Sequence, residues 1–521
     1  MNGSVITPEA PKEKGNVLTP SEIVFAWICL ISAYLFCRVF PVTLSPMGGF
    51  LLTLCLYIVT TVFIKIKGGK LKFMPILAAI SALLMSSALV LSSNGVIRFF
   101  AYSYALMTYI YYVYSAFGNS LKKGFSDLVL IDYFKALFIL PYVRFIALFV
   151  AVFSNKKGNK AFRRIVIGIC IAVIPTLIVL ALLSYDSAFT DLLDKIFNFS
   201  LGDLWSHFVS FLFAFPIAAY GFGLFIASKE NRCQKIIDAE GCQSASAVIK
   251  IIPALTSAVA TLPIFVLYVI FFISQWKYYI SGFTGVLPKG FVYSRYAREG
   301  FFQLCVVSVI NLIIISVVST FSKKNTKPSS VAKRIICILY SLSSLVLIAT
   351  AMAKLSMYIG IYGLTPLRVY AAWLEIVLAL IFILVILKQF IPKFNLIISS
   401  FAVLVLCFAL LCVGNVEGFI ANYNVDRYLN DKRGSVDVEL LRDLGDAAVP
   451  ALIRLEKGTE NNNKYIYMRV NHDNVAKTLD GMAERMLERE KDMDIFSYTL
   501  PTYRAKALLK DRMDALRDKE E

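Results

Sequence analysis

Two apolar blocks joined by a short basic connection decide the fold of this chain. Residues 371–413 read AAWLEIVLALIFILVILKQFIPKFNLIISSFAVLVLCFALLCV. Each block is about 20 residues long, the length at which a helix crosses the hydrocarbon core of a bilayer. Lys388 and Lys393 lie in the connection, which is typical of a short cytoplasmic loop. The stretch therefore predicts two membrane-spanning helices that form a hairpin.

The same pattern recurs along most of the chain. With 58% hydrophobic residues, 17% charged residues and a mean hydropathy of +0.69, the chain is too apolar for a water-soluble protein. Blocks of spanning length cover residues 22–40, 47–65, 73–92, 99–118, 165–184, 205–227, 252–273, 300–321, 335–355, 371–391 and 395–413. The sequence predicts an all-α polytopic transmembrane helical bundle of about 11–12 spans over residues 22–413, after a polar N-terminal tail at 1–21.

Residues 127–154 break the pattern. Asp132, Lys135 and Arg144 interrupt the apolar run, and Pro141 removes a backbone donor from its middle. Basic loops precede and follow the segment, so the positive-inside rule places both of its ends on the cytoplasmic side. We expect a re-entrant hairpin or an interfacial helix here, and an additional span is the alternative.

Charge is distributed unevenly along the chain, whose formal net charge is +18. Before Gly414 stand 35 of the 53 basic residues and 14 of the 35 acidic residues. Basic residues in short loops suit anionic headgroups, so membrane lipids are expected partners and nucleic acid is not. The loop charges predict a multi-pass protein of the plasma membrane with a cytoplasmic N-terminus, and eleven crossings then place the C-terminal end outside the cell.

The end of the chain is predicted to be a small soluble α-helical C-terminal domain, residues 414–521. Apolar residues repeat there at helical spacing in two stripes. The first is Val475, Leu479, Met482 and Met486, and the second is Ala505, Leu508, Leu509 and Leu516. A charged helical module of this kind suits protein docking, so an envelope protein is a candidate partner.

The motifs of common enzyme chemistries are not found in the sequence. It contains no glycine-rich phosphate loop, no His-x-x-x-His pair and no nucleophile elbow between a strand and a helix. We therefore predict no catalytic residue, no metal site and no cofactor. Eight of the ten cysteines fall in apolar blocks, where Cys behaves as a small hydrophobic residue.

Ionisable residues inside or beside the apolar blocks are the candidate functional residues. A charge at the centre of a bilayer costs at least ~2.5 kcal/mol, so such residues face the interior of a bundle and mark sites. The candidates are Asp132, Lys135, Arg144, Arg298, Glu299, Lys354, Arg368 and Glu375. Glu375 is a candidate partner of Lys354 or Arg368, and Arg298 and Glu299 end an aromatic-rich connection from Ser274 to Gly300.

Four motifs carry a resemblance to a known family. They are Tyr-Ala-Arg-x-Gly-Phe-Phe in Tyr296–Leu304, Tyr-Gly-Leu-Thr-x-Leu-Arg in Tyr362–Tyr370, Asn-Val-Asp-Arg-Tyr in Asn424–Leu429, and the closing motif Ser497–Ala505. Together they resemble a polytopic membrane family of bacteria, mostly Gram-positive, known only as a domain of unknown function. The likeness covers roughly residues 200 to 510, and it implies a membrane bundle with a helical C-terminal segment and no established reaction, ligand or partner.

Three functions remain open from the sequence. The first is a non-enzymatic cell-envelope protein with a protein-docking tail, which the missing catalytic motifs and the charged C-terminal helices favour. The alternative is a transporter or lipid-handling protein, in which the candidate residues converge on an intramembrane polar cavity. A membrane-embedded enzyme is a second alternative, because isolated carboxylates are its only candidate groups.

Overall fold

The computed structural model describes most of the chain. The described residues are 18–42, 45–122, 128–153, 201–230, 252–284, 301–322, 327–431, 436–460, 472–492 and 495–520, with the single residues 179, 183, 241 and 250. Most of the predicted span at 165–184, together with Arg298 and Glu299, lies outside these ranges.

The described residues are 88% helical and include no strand, which confirms the all-α class. The first helices are α1 (Pro20–Val42), α2 (Pro46–Ile66), α3 (Phe73–Ser86), α4 (Ala88–Leu91), α5 (Gly95–Ala116), α6 (Val129–Phe138), α7 (Leu140–Val143), α8 (Ala147–Phe153) and α9 (Leu201–Lys229). The next are α10 (Ala254–Thr284), α11 (Phe301–Phe321), α12 (Lys327–Tyr362), α13 (Pro366–Phe390) and α14 (Leu396–Val413). The C-terminal ones are α15 (Val416–Asp431), α16 (Val438–Asp443), α17 (Val449–Glu460), α18 (His472–Asp492) and α19 (Leu500–Glu520).

Nine of the described helical stretches are long and apolar enough to cross a membrane, which confirms a polytopic membrane protein. They are α1, α2, α3 with α4, and α9 to α14. The predicted span at 99–118 forms α5, a helix rich in tyrosine that falls outside this group. Its hydroxyl groups have partners: Tyr109 bonds Thr60 at 2.8 Å and Tyr112 bonds Thr61 at 2.6 Å.

Helices α1 and α9 run antiparallel and contact each other at both ends. At one end Lys229 of α9 donates to Glu22 of α1, and Lys67 after α2 lies 3.4 Å from the same carboxylate. At the other end Arg38 of α1 donates to Ser206 of α9 at 2.6 Å. We call the end with Glu22, Lys67 and Lys229 the basic face, and the other end the tail face.

Helix α12 is the centre of a second group with α10, α11 and α13. The Tyr340 hydroxyl of α12 donates to the Thr261 carbonyl of α10 at 2.6 Å, and Asn311 of α11 donates to Ser344 of α12 at 2.9 Å. Two boundaries differ from the prediction, because α10 continues to Thr284 into the expected connection and α12 exceeds the span predicted at 335–355.

The C-terminal helices pack on the tail face and share a core with the bundle. One buried cluster joins Met85, Ile97 and Cys412 of the bundle to Val416 and Leu452 of the C-terminal helices. The soluble domain predicted from Gly414 onward is therefore packed against the membrane helices.

The two predicted stripes supply much of this core. Buried among them are Val475, Leu479, Met482, Met486, Ala505 and Leu509. Leu508 is 50% exposed and does not belong to the second stripe.

Candidate functional site

The six predicted polar residues that the structure describes divide between two helix groups. Asp132 and Lys135 lie on α6 and Arg144 follows α7, whereas Arg368 and Glu375 lie on α13 in the second helix group. Arg368 does not pair with Glu375: its guanidinium donates to the carbonyls of Tyr362 and Gly363 and lies 4.1 Å above the Tyr358 ring. Lys354 lies on α12 and is partly buried.

Glu375 is a fully buried carboxylate without a charged partner among the described residues. It lies beside the Cys305 thiol of α11, and neither of its oxygens has a hydrogen bond of ordinary geometry within the described ranges. A polar group buried in this way costs about 1–3 kcal/mol of stability, and more when charged.

We expect Glu375→Leu to raise the midpoint of thermal unfolding in detergent by a few degrees, because this cost disappears. The matched control is Glu417→Leu, which removes the acceptor of a 2.6 Å bond from Asn94 and should lower the midpoint. A lowered midpoint for Glu375→Leu would show that the carboxylate stabilises the bundle.

The segment α6 to α8 is broken into three short helices, and Pro141 lies in the middle one. The α6–α7 stretch and α8 bend by 42° at residues 144–146. At the start of the segment, Asp132 accepts hydrogen bonds from the Tyr114 hydroxyl at 2.6 Å and from the Leu121 backbone at 3.2 Å. At its break, Arg144 forms two bonds with Glu230, at 2.9 and 3.0 Å.

Both anchors of this segment lie near the basic face. Glu230 directly follows Lys229, and Asn119, two residues before Leu121, donates to the Ser228 carbonyl at 2.8 Å. Between the anchors, the Leu137 carbonyl accepts a 2.7 Å bond from Tyr220, deeper along α9. Asp132 and Arg144 thus both have partners near the basic face, and Leu137 between them contacts α9 further from that face.

Gly223 of α9 allows the broken segment to pack closely, because the backbone of that segment lies directly against it. A Cβ atom at Gly223 would be 2.5 Å from the Pro141 carbonyl oxygen and 3.1 Å from that of Arg144. Gly221 on the same helix has open space at the equivalent position.

We expect Gly223→Ala to destabilise the protein by about 1–3 kcal/mol through this overlap, and Gly221→Ala to be neutral or stabilising, since Ala favours a helix. Thermal unfolding of both variants in detergent checks the difference. Equal midpoints would contradict the close backbone approach.

An apolar cavity of about 470 Å³ lies between the broken segment and helices α1, α2, α5 and α9. Its lining includes Cys29, Ala33, Leu52, Leu56, Leu106, Ile110, Leu137, Phe138, Tyr142, Ile217, Ala218 and Leu224. Its described lining residues include no charged side chain, and two lining hydroxyls are engaged, Thr53 with the Gly49 carbonyl and Tyr109 with Thr60. The cavity suits a hydrocarbon chain and differs from the polar cavity predicted for a transporter.

The cavity opens on one side of the bundle. Phe138, Tyr142 and Ile217 line it and are 56%, 61% and 39% exposed, so they border its mouth. A second pocket of about 290 Å³ lies on the other side of Tyr142, and Arg144 and Glu230 contribute to its wall.

Three of the four sequence motifs lie in a joint between the bundle and the C-terminal helices. The Asn424 side chain accepts a 2.8 Å bond from the Leu364 amide and donates a 2.9 Å bond to the Leu364 carbonyl. Arg427 donates to the carbonyls of Ile359 and Gly360 at the end of α12. In the closing motif, Thr502 donates to Asp446 at 2.9 Å.

A second set of side-chain contacts in this joint was not predicted from the sequence. Asn94, which caps α5, donates to the Tyr370 hydroxyl at 2.8 Å and to Glu417 at 2.6 Å. Glu417 is buried, with 4% of its surface exposed. Asn94 is the residue immediately before α5. That capping position is the signal that would have identified Asn94.

An ion-pair group holds the last two helices together. Glu490 of α18 accepts hydrogen bonds from Lys506 at 2.7 Å and from Arg517 at 2.8 Å, both on α19. The Lys506 hydrogen bond lowers the pKa of Glu490 from its ordinary value of 4.5.

The stability that Glu490 contributes is present above that ordinary pKa and is lost as the pH falls through the lowered pKa. We therefore expect Glu490→Gln to lower the thermal midpoint at pH 7 by more than it does near pH 3. A difference between the variant and the unaltered protein that is the same at both pH values would contradict this.

Comparison with known proteins gives a family and no function. A family model described as a domain of unknown function (DUF4153) matches residues 78–455. The matched range extends further towards the N-terminus than the likeness seen in the motifs, and it ends before the closing motif at Ser497. No curated protein and no solved structure matches the sequence.

Proposed function

Because this chain belongs to the DUF4153 family, whose description assigns no activity, we propose from its geometry that it is a lipid-handling membrane protein. The observation that supports the proposal is the apolar cavity between the broken segment and helices α1, α2, α5 and α9. In our proposal this cavity takes one hydrocarbon chain of a membrane lipid, which enters past Phe138, Tyr142 and Ile217.

The size and lining of the cavity favour a flexible apolar ligand. Its volume of about 470 Å³ lies within the range of small-molecule sites, about 300–1,000 Å³. The charge of an ion or the hydroxyl groups of a sugar would have no partners against these walls, which costs several kcal/mol. A hydrocarbon chain has no such groups.

The orientation follows from the positive-inside rule. Lys67 and Lys229 lie on the basic face, so we infer that this face is cytoplasmic. The C-terminal helices, packed on the tail face, are then outside the cell. The broken segment is re-entrant from the cytoplasmic side in this proposal.

Protein docking by the C-terminal helices is the second candidate. Tyr503 and Leu508 of α19 are 65% and 50% exposed, so these two side chains are accessible to a partner. The rest of the apolar stripes is buried against the protein itself, so less of the tail is available for a partner than the sequence suggested. A transporter or an enzyme has no equivalent support among the described residues.

Native mass spectrometry tests the proposal. The full chain, purified in mild detergent, should retain one phospholipid per protein molecule after extended washing. Retention of no lipid, or of a broad distribution without a preferred stoichiometry, would contradict it.

A further inference from the structure

The second pocket has a composition unlike that of the apolar cavity. It has a volume of about 290 Å³, and Leu18, Val150 and Ile226 form its apolar walls. Arg144 and Glu230 line it as well, and Tyr142 lines both this pocket and the cavity. A single amphipathic molecule could therefore occupy the two spaces on either side of Tyr142.

The charges in this pocket are held at fixed positions. Arg144 donates to the two oxygens of Glu230 at 2.9 and 3.0 Å, a bidentate geometry that fixes both side chains. The pair remains accessible, because the Arg144 and Glu230 side chains are 26% and 11% exposed. The pocket thus presents one positive and one negative group next to each other.

We infer that this pocket binds the headgroup of a zwitterionic phospholipid that carries a primary ammonium group, and the inference rests on the proposed function. Arg144 binds the phosphate, because a guanidinium matches phosphate geometry. Glu230 accepts hydrogen bonds from the ammonium group. The lipid chain then extends past Tyr142 into the apolar cavity.

Charge complementarity selects this headgroup over others. A purely anionic headgroup carries no cation to offset the repulsion between its phosphate and the Glu230 carboxylate. A quaternary ammonium group has no hydrogen to donate to Glu230. A zwitterion with a primary ammonium brings one group of opposite charge to each of the two side chains.

The position of the pocket agrees with the orientation of a lipid in a bilayer. Leu18 precedes α1 at the basic face, whereas Cys29 and Ala33 line the cavity further along that helix. From Leu18 to Cys29 the rise is roughly 16 Å at 1.5 Å per residue. A headgroup at the basic face and a chain directed into the membrane core fit this distance.

The test compares headgroups in the full-length protein. Nanodiscs are made with equal amounts of phosphatidylethanolamine, phosphatidylcholine and phosphatidylglycerol, and the lipid retained after extraction is identified by native mass spectrometry. We expect phosphatidylethanolamine to be retained about tenfold over each of the others. Glu230→Gln should abolish this preference and favour phosphatidylglycerol, because the repelling carboxylate is removed.

The control variant is Arg454→Gln, which breaks a pair with Asp426 of similar length, 2.9 Å, on the C-terminal helices and should leave the preference unchanged. Arg144→Gln should lose headgroup discrimination while chain binding persists. Lipid retained without a headgroup preference, or a preference that survives Glu230→Gln, would overturn the inference and leave the proposed function standing. Absence of any retained lipid would overturn both.

Discussion

Ala33→Phe should displace the bound lipid chain and leave the fold intact. Ala33 is 5% exposed on α1 and lines the apolar cavity, so a larger side chain there extends into the cavity. A cavity of about 150 Å³ is already large enough for benzene, so a phenyl ring fits within about 470 Å³ without displacing the walls. Occupancy of the lipid in native mass spectra is expected to fall about tenfold.

The matched control is Ile31→Phe on the same helix. Ile31 is 57% exposed on the outside of the bundle, so a phenyl ring there contacts surrounding lipid and leaves the cavity unchanged. Unaltered lipid occupancy is expected for this control. Equal occupancy in Ala33→Phe and in the unaltered protein would mean that the retained lipid lies elsewhere.

Asn424→Ala is expected to release the C-terminal helices from the bundle. The Asn424 side chain satisfies both the amide and the carbonyl of Leu364, and the substitution leaves two backbone groups without partners. Each such group costs about 1–3 kcal/mol, so a total loss of about 2–6 kcal/mol is expected. Limited proteolysis should then cleave the C-terminal helices at a protease concentration that leaves the unaltered protein intact.

A nearby asparagine provides the control for this experiment. Asn422 lies on the same helix, is exposed, and accepts a hydrogen bond from the side chain of Arg454. Asn422→Ala should retain the protease resistance of the unaltered protein. If Asn424→Ala is equally resistant, the joint is not held by the pairing of Asn424 with Leu364.

Hydropathy alone was sufficient to predict the fold class and most of the spans. Each span must satisfy its own backbone hydrogen bonds in lipid, so apolar length determines a helix directly. The tyrosine-rich α5 shows what hydropathy leaves out. Its hydroxyl groups bond threonines of α2, contacts that hydropathy does not measure.

Side-chain partnerships could not be predicted in the same way. Sequence proximity suggested that Lys354 or Arg368 pairs with Glu375, but the Arg368 guanidinium donates to carbonyls at and after the end of α12. Arg144 was selected as a charged residue in an interrupted apolar run, and its partner Glu230 is 86 residues away. The packing of the helices determines which charged side chains form pairs. The spacing of residues within one segment does not predict that packing.

The domain boundary shows a further limit of the sequence. Composition changes sharply at Gly414, and α14 ends at the preceding residue. Composition cannot reveal that Met85 and Ile97 of the membrane helices complete the core of the C-terminal helices. Tertiary packing therefore joins two regions that differ in solvent preference.

Photo-crosslinking with a phospholipid that carries a diazirine within its acyl chain tests the central claim most directly. The account predicts that, after irradiation in nanodiscs and digestion, the label is found on peptides of α1 and α9 that contain cavity residues such as Ala33 and Ala218, and that Ala33→Phe removes it. Label distributed evenly over lipid-facing residues such as Ile31, and unaffected by Ala33→Phe, would contradict the account.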